Sequence, residues 1–171
     1  MLEIIEKSKK IVLCKTKEVD LDYILQAEQH PDNSPYIGQW TREEHRNTFA
    51  SDDILHLTVK SVCDSNPVGY VIMAGLQNPN RCMELRRIVI TDKGKGYGRE
   101  TLRLVKKLAF ETLKTHRLWL DVREHNERAK VLYKSEGFVE EGKLRECILS
   151  NDSFQSLIIL SILEDEYFSG F

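Results

Sequence analysis

Cysteines and long apolar runs are both scarce in this sequence. Its 171 residues include four cysteines, and none of them stands in a C-x-x-C spacing. A chain of this size does not depend on disulfides, so we expect four buried, free thiols and a reducing compartment. No stretch approaches the roughly 18 consecutive apolar residues of a membrane span. Residues 1–13 carry early acidic residues and no long apolar segment, so we expect no signal peptide and a cytoplasmic protein.

An excess of charge of one sign is lacking as well. The formal net charge is -2, from 25 Lys and Arg against 27 Asp and Glu, which argues against nucleic acid or an anionic membrane as a partner. The length of 171 residues predicts a single domain over 1–171. A domain of this size can bury a core without the support of a metal. No metal site is predicted, because metal-ligand spacing is absent among the five histidines, His30, His45, His56, His116 and His125.

The order of the predicted elements indicates an α/β protein with a mixed sheet. Apolar residues at helical spacing predict helices over 20–30 and about 98–115, the latter with a buried stripe of Leu102, Val105, Leu108, Ala109 and Leu113. A capping box at Thr41–Glu44 opens a short helix, and another runs from Asn126 to about Glu136, ended by Gly137. Strands are predicted at 11–15, 54–61, 67–76, 82–91, 118–122, 138–149 and 154–163.

Residues 88–101 are the most informative segment. The β-branched run Ile88-Val89-Ile90 breaks into Lys93-Gly94-Lys95-Gly96-Tyr97-Gly98, and a long helix follows at once. Three alternating glycines between a strand and a helix let several N–H groups point at one spot. The helix N-terminus adds unpaired donors and the positive end of its dipole, and the two lysines and Arg99 add charge. The segment therefore predicts a site for the phosphate or pyrophosphate of a cofactor.

Two familiar phosphate-binding patterns do not fit this loop. A dinucleotide fold requires G-x-G-x-x-G, but the third glycine position holds Arg99 when counted from Gly94 and Thr101 when counted from Gly96. The P-loop pattern G-x-x-x-x-G-K-[ST] is absent. A dinucleotide-dependent oxidoreductase stays open on the loop alone, since Asp121 ends the next strand at about the distance of a ribose-binding acid.

A second motif follows the strand at 118–122. Residues 126–138 read NERAKVLYKSEGF, which resembles the N-x-x-A-x-x-L-Y-x-x-x-G-F signature of the Gcn5-related N-acetyltransferase (GNAT) family. The glycine loop resembles that family's Q/R-x-x-G-x-G/A loop, with Lys93 in place of Gln or Arg. The resemblance covers residues 54–163, and its motifs lie between 84 and 138. The closing stretch from 141 looks most like the branch that acetylates ribosomal-protein N-termini, and the sequence is also similar to polyamine acetyltransferases.

The resemblance implies a single-domain α/β fold. Its sheet would be mixed and mostly antiparallel, with a V-shaped splay between the two central strands and about four flanking helices. It implies acetyl-CoA as co-substrate and no metal, with the pyrophosphate on the amides of 93–99 and the pantetheine arm beside 86–90. The implied cofactor-binding residues are Ile88, Val89, Ile90, Lys93, Gly94, Lys95, Gly96, Tyr97, Gly98, Arg99 and Asn126.

The resemblance also implies direct transfer of an acetyl group to a primary amine in a ternary complex. Tyr133 would protonate the leaving thiolate, because a phenol with a reference pKa of about 10 is still protonated at pH 7. A backbone amide near Ile88–Ile90 would stabilise the oxyanion. The general base stays open between Asp121 and Glu84. Structural roles are the alternatives: a core position for Tyr133, a helix cap for Asn126 and solvated surface positions for the two carboxylates.

The amine acceptor is the part that the sequence does not define. We expect acceptor-side helices at about 20–50, an acetyl-CoA-binding core at about 82–138 and a C-terminal hairpin at about 138–163. Tyr36 and Trp40 lie in the early loop where this family forms its acceptor wall. A protein N-terminus, a polyamine and another small amine all stay open, and the last two strands build homodimers in this family. The alternative functions are a non-catalytic acyl-CoA-binding module and the oxidoreductase named above.

Overall fold

One continuous sheet runs through the computed structural model, which describes residues 3–170 of the chain. Met1, Leu2 and Phe171, at the ends of the predicted 1–171 domain, lie outside this range. Across the sheet the strand order is β1-β2-β3-β4-β5-β6-β8-β7, and all neighbours are antiparallel except β5 and β6. The strands are β1 (Ile4–Lys7), β2 (Ile11–Lys15), β3 (Ile54–Ser61), β4 (Pro67–Ala74), β5 (Cys82–Ile90), β6 (Arg117–Arg123), β7 (Val139–Ser150) and β8 (Ser153–Leu163).

Helices cover both faces of this sheet. Within residues 3–170 they are α1 (Leu21–Gln29), α2 (Arg42–Thr48), α3 (Tyr97–Lys107), α4 (Glu127–Ser135) and α5 (Glu164–Ser169). The helix α2 begins at the predicted capping box, where Thr41 Oγ1 accepts from the N–H of Glu44 at 3.2 Å and the Glu44 carboxylate accepts from the N–H of Thr41 at 2.6 Å. The predicted mixed, mostly antiparallel α/β sheet is confirmed, while β1 and α5 were not expected.

The core has a layer on each face of the sheet. The larger layer packs α3 and α4 against the sheet, and it includes Leu102, Val105 and Tyr133. The smaller layer packs α1 against β4 and β5, through Leu21, Ile24 and their neighbours. The central strands β4 and β5 are therefore covered by α3 and α4 on one face and by α1 on the other.

The predicted stripe on the helix at 98–115 is wrong at its last position. Leu102, Val105, Leu108 and Ala109 are buried, but Leu113 is 37% exposed. A π-helical turn, Leu108–Thr112, follows α3. This wider turn breaks the 3.6-residue spacing, so the apolar face no longer points to the core at Leu113.

The four cysteines are free, as predicted, but they are not all buried. Cys14 is buried, Cys82 is half-buried, and Cys63 and Cys147 are exposed. Cys63 lies in the turn between β3 and β4, and Cys147 lies where the pairing of β7 with β8 shifts register. Both positions are irregular backbone at the surface, which the sequence pattern did not reveal. Within residues 3–170, no helix is long and apolar enough to cross a membrane.

A cluster of buried polar side chains lies beneath α1 and α2. It consists of Glu28, His45, His56, Tyr70 and Arg87, all at most 9% exposed, and is called the Glu28 cluster below. Nδ1 of His45 is 3.0 Å from Nε2 of His56, whose Nδ1 is 3.0 Å from Oγ1 of Thr16. The hydrogen bonds satisfy polar groups that would otherwise be costly to bury.

The Glu28 cluster makes the fold sensitive to acid. Burial, with the neighbouring His45, lowers the pKa of His56 from 6.5 to about 3. The unfolded chain therefore binds this proton below about pH 6.5, whereas the folded chain binds it only near pH 3. The free energy of unfolding therefore decreases as the pH is lowered through this window. We expect the fall to be shallower for His56→Gln, by up to about 5 kcal/mol over the full window.

Urea unfolding at several pH values between neutral and about 4 measures this difference. His30→Gln is the control, because the His30 side chain is 58% exposed, and its curve should follow that of the wild type. Parallel curves for the wild type and His56→Gln would contradict the prediction.

Candidate active site

A gap opens in the sheet where β5 and β6 stop pairing. Their parallel pairing joins 82–84 to 117–119 and goes no further. Both strands continue, to Ile90 and to Arg123. Beyond Glu84 and Trp119 each strand therefore presents an unpaired edge to the gap, and the predicted V-shaped splay is confirmed.

A β-bulge in β5 accompanies the splay. In the pairing of β4 with β5, Ile72 lies opposite Arg87 but the next residue, Met73, lies opposite Leu85. Arg86 is thus the extra residue of the bulge, and it lies two residues after Glu84, the last residue of β5 that pairs with β6. A bulge bends its strand and increases the local twist, which turns the second half of β5 away from β6.

The gap widens into a cleft of about 1080 Å³. Lys95 is the one predicted site residue that does not line it. The Lys95 side chain is 60% exposed, and its Nζ lies 2.8 Å from Oδ2 of Asp92. The predicted residues that line the cleft are Glu84, Ile88, Val89, Ile90, Lys93, Gly94, Gly96, Tyr97, Gly98, Arg99, Asp121, Asn126 and Tyr133.

The glycine loop forms one end of the cleft. Gly94 and Gly96 have φ of 84° and 81°, a left-handed backbone that side chains disfavour. Gly96 is the N-cap of α3, and no side chain caps this helix. The first N–H groups of α3 therefore have no partner inside the helix and open on the cleft. This donor set fits a phosphate or diphosphate anion.

The cations at this end are tethered to the protein. Lys93 Nζ donates to the Asp32 carbonyl oxygen at 3.0 Å. Arg99 donates to Glu136 at 2.5 Å and to the Ser135 hydroxyl at 3.0 Å. Both side chains line the cleft, and their charge favours an anion there.

Asp121 and Glu84 lie near the apex of the splay and differ in their partners. Glu84 accepts two hydrogen bonds from Arg86, at 3.0 and 2.8 Å. Asp121 has no ion-pair partner within residues 3–170. Desolvation of the carboxylate by the surrounding protein, and then the charge of Glu84, raises the pKa of Asp121 above its ordinary value of 3.8. Asp121 is thus the carboxylate without an ion pair within this range, and its pKa is raised although the charges of Arg123 and Arg86 act in the opposite direction.

Tyr133 and Asn126 occupy the helix that bounds the other side of the cleft. Burial, and then the charge of Asp121, raises the pKa of the Tyr133 phenol far above neutrality. Its hydroxyl makes no hydrogen bond within the described part of the chain, so it does not serve to satisfy a backbone group. Asn126 is the N-cap of α4, with Oδ1 3.3 Å from the N–H of Ala129, which leaves its Nδ2 group to donate elsewhere.

The loop after α1 forms the remaining wall. Tyr36 and Trp40 line the cleft, and the acceptor wall that the resemblance implies for this loop stays a prediction. The Tyr36 ring lies 5.4 Å from the ring of His125, which follows β6. The Arg87 guanidinium lies 4.2 Å from the centroid of Trp40, a favourable cation–π distance.

The Glu28 cluster adjoins this wall and was missed from the sequence. His45 and His56 were given no role, and neither Glu28 nor Arg87 was singled out. One signal was available: Glu28 follows Leu21 and Ile24 at helical spacing and shares their buried face. A carboxylate on an apolar helix face requires a buried partner.

Comparisons with known proteins agree with this geometry. Residues 10–139 match a family model described as an acetyltransferase (GNAT) domain. The chain is 29% identical over 134 residues to spermidine N(1)-acetyltransferase of Vibrio cholerae, which covers 78% of each chain. It is 24% identical over 150 residues to the putative ribosomal N-acetyltransferase YdaF of Bacillus subtilis, over 79% of this chain and 82% of that protein.

A solved structure extends the agreement to the fold. The spermidine N-acetyltransferase of Vibrio cholerae in complex with CoA and spermine has a TM-score of 0.85 and 24% identity, over 94% of this chain and 99% of that chain. At this identity the likeness concerns the fold alone. The family model, in contrast, spans most of the chain and includes both sequence motifs and the splay. The chain therefore belongs to the GNAT family and is an N-acetyltransferase.

Proposed function

We propose that this protein transfers the acetyl group of acetyl-CoA directly to a primary amine of a small polyamine, in a ternary complex. The observation that carries the proposal is the pair formed by Asp121 and Tyr133. One is a carboxylate that makes no ion pair within residues 3–170, the other is a buried phenol, and both line the same cleft. They provide a proton acceptor and a proton donor beside the splay.

The unpaired N–H groups of α3 and of the β5 edge suggest where acetyl-CoA would bind. Acetyl-CoA, when bound, supplies an acetyl thioester. The N-terminus of α3 and the side chains of Lys93 and Arg99 would hold its pyrophosphate, and the free edge of β5 at 86–90 would pair with the pantetheine arm. The Nδ2 group of Asn126 would donate to the same arm. An N–H group of the β5 edge would face the carbonyl oxygen at the reacting carbon.

The acceptor end requires a cation that can lose a proton. An amine arrives as an ammonium ion, which the charge of Asp121 attracts. Asp121 would then accept its proton, directly or through a water, and the freed amine would attack the thioester. As the C–S bond breaks, Tyr133 would donate its proton to the departing sulfur, and the second proton of the attacking nitrogen would then leave and restore the phenol. Asp121 is preferred to Glu84 as the base because Arg86 already occupies Glu84 with two hydrogen bonds.

The choice of a polyamine is supported by the relatives. The 29% identical relative from Vibrio cholerae is named a spermidine N(1)-acetyltransferase. The name of the Bacillus subtilis relative, a putative ribosomal N-acetyltransferase, makes a protein N-terminus the competing acceptor.

Release of CoA from acetyl-CoA tests the proposal. The assay compares spermidine, a peptide with a free N-terminal amine and no acceptor. We expect release that saturates with spermidine and exceeds release with the peptide. Preference for the peptide would replace the polyamine by a protein N-terminus. Tight CoA binding without amine-dependent release would favour the non-catalytic acyl-CoA-binding module, and displacement of CoA by NAD would favour the oxidoreductase.

The role of Tyr133 predicts a selective loss in Tyr133→Phe. This change removes the donated proton and keeps the ring, so kcat should fall by about 10- to 1,000-fold while acetyl-CoA affinity barely changes. Tyr167→Phe is the matched control, because the Tyr167 hydroxyl donates to Glu111 at 2.7 Å and does not line the cleft. An unchanged kcat in Tyr133→Phe would remove Tyr133 from the chemistry.

The two carboxylates are separated by the pH dependence of kcat/KM. Asp121→Asn should lower kcat/KM by about 100-fold or more, because the base is lost. Glu84→Gln should stay active. Since the charge of Glu84 raises the pKa of Asp121, its removal lowers that pKa, and the acid limb of the profile should move to lower pH. An inactive Glu84→Gln beside an active Asp121→Asn would reverse the assignment.

A further inference from the structure

Glu28 connects four separate parts of the protein around one buried carboxylate. The residue is 1% exposed. It accepts from the Trp40 N–H at 2.9 Å, from the Tyr70 hydroxyl at 2.6 Å and from the Arg87 guanidinium. Nε2 of His45 lies 3.2 Å away. The partners come from the loop after α1, from β4, from β5 and from α2.

Two of these partners belong to the cleft. Trp40 and Arg87 line it, and the guanidinium packs on the indole ring at 4.2 Å. Arg87 lies on β5 directly after the bulge, three residues beyond Glu84, where β5 has separated from β6. Glu28 therefore fixes a side chain on the splayed strand and the backbone of the facing loop at the same time.

The loop needs such an anchor. Residues 31–41 contain no helix or strand, and two prolines reduce the backbone N–H groups that can be paired. Its N-terminal part is held by Asn33, whose Nδ2 donates to the Ala27 carbonyl at 2.8 Å, and by Lys93 at the phosphate end. Its C-terminal part, at Trp40, is held by Glu28 and Arg87.

We propose that Glu28 is a positioning residue for the amine acceptor, acting through Trp40 and Arg87 to hold the acceptor wall against the splayed end of β5. This inference rests on the proposed function, because it assigns that end of the cleft to the amine. Glu28 itself does not contact the amine. The phosphate end, held by Lys93 and by the N-terminus of α3, does not depend on it.

The proposal predicts different effects on the two substrates. In Glu28→Gln the carboxylate charge that holds Arg87 is lost while the side-chain shape is kept. The KM for spermidine should rise by about 10-fold or more, because displacements of about 1 Å near a reacting centre are costly. The KM for acetyl-CoA should change by less than about twofold, which is much smaller than the rise in the KM for spermidine.

Glu136→Gln is the matched control. Glu136 is 2% exposed and holds Arg99, Arg103 and Lys106 as Glu28 holds its partners. It lies on the cofactor side, through Arg99, so its loss should affect acetyl-CoA and leave the KM for spermidine near that of the wild type. A wild-type KM for spermidine in folded Glu28→Gln would overturn the proposal. Equal rises in both KM values would make Glu28 purely structural and would also overturn it.

A second variant covers the case in which the unpaired guanidinium prevents Glu28→Gln from folding. The double variant Glu28→Gln with Arg87→Met removes both buried charges, which proteins tolerate better than the loss of one. We expect the same selective rise in the KM for spermidine. Equal KM values to the wild type would again contradict the proposal.

Tryptophan fluorescence provides a measurement that does not require turnover. The chain has two tryptophans, so Trp119→Phe leaves Trp40 as the single emitter. Adding Glu28→Gln should shift the emission to the red and increase quenching by acrylamide, and unchanged emission and quenching would overturn the proposal. If the wild type releases no CoA with any amine, the proposed function fails, and this fluorescence result alone then decides whether Glu28 holds the wall.

Discussion

The parallel pairing between β5 and β6 ends after three residue pairs, and the site depends on this early separation. If the strands stayed paired to Ile90 and Arg123, their edges would be satisfied and no cleft would exist between them. The bulge at Arg86 turns β5 away at that point. The unpaired edge is costly in isolation, and it is compensated when an extended ligand adds to it as another strand would.

Two buried carboxylates hold the boundaries of the cleft, one on each face of the sheet. Glu28 fixes the loop at Trp40 and the second half of β5 through Arg87. Glu136, at the C-terminal end of α4, binds Arg99 and Arg103 of α3 and so joins α3 to the helix that carries Tyr133. Removing one partner from such a pair leaves an uncompensated buried charge. Both walls of the cleft are thus held by ion pairs with buried carboxylates, although its strands are unpaired.

The parts of the site that could be predicted from the sequence are those formed by residues close together in the chain. The glycine loop and the helix that starts at Asn126 lie where they were expected, because glycine spacing, a capping residue and an apolar face act within one or two turns. The Glu28 cluster escaped prediction because its partners are distant in the chain. Glu28 is 42 residues from Tyr70 and 59 from Arg87, and only the folded sheet brings them together. Lys95 shows a second limit, because the glycine loop was predicted where it lies but the direction of this side chain was not. The Lys95 side chain pairs with Asp92 outside the cleft.

Amide hydrogen exchange, read residue by residue along β5 and the glycine loop, tests most directly whether the unpaired edge is the cofactor site. Exchange is followed for the free protein and with acetyl-CoA, CoA or NAD added separately. We expect slower exchange at 86–90 and 96–99 with acetyl-CoA and with CoA, and no change there with NAD. Unchanged exchange at these amides in the presence of saturating acetyl-CoA would contradict this expectation.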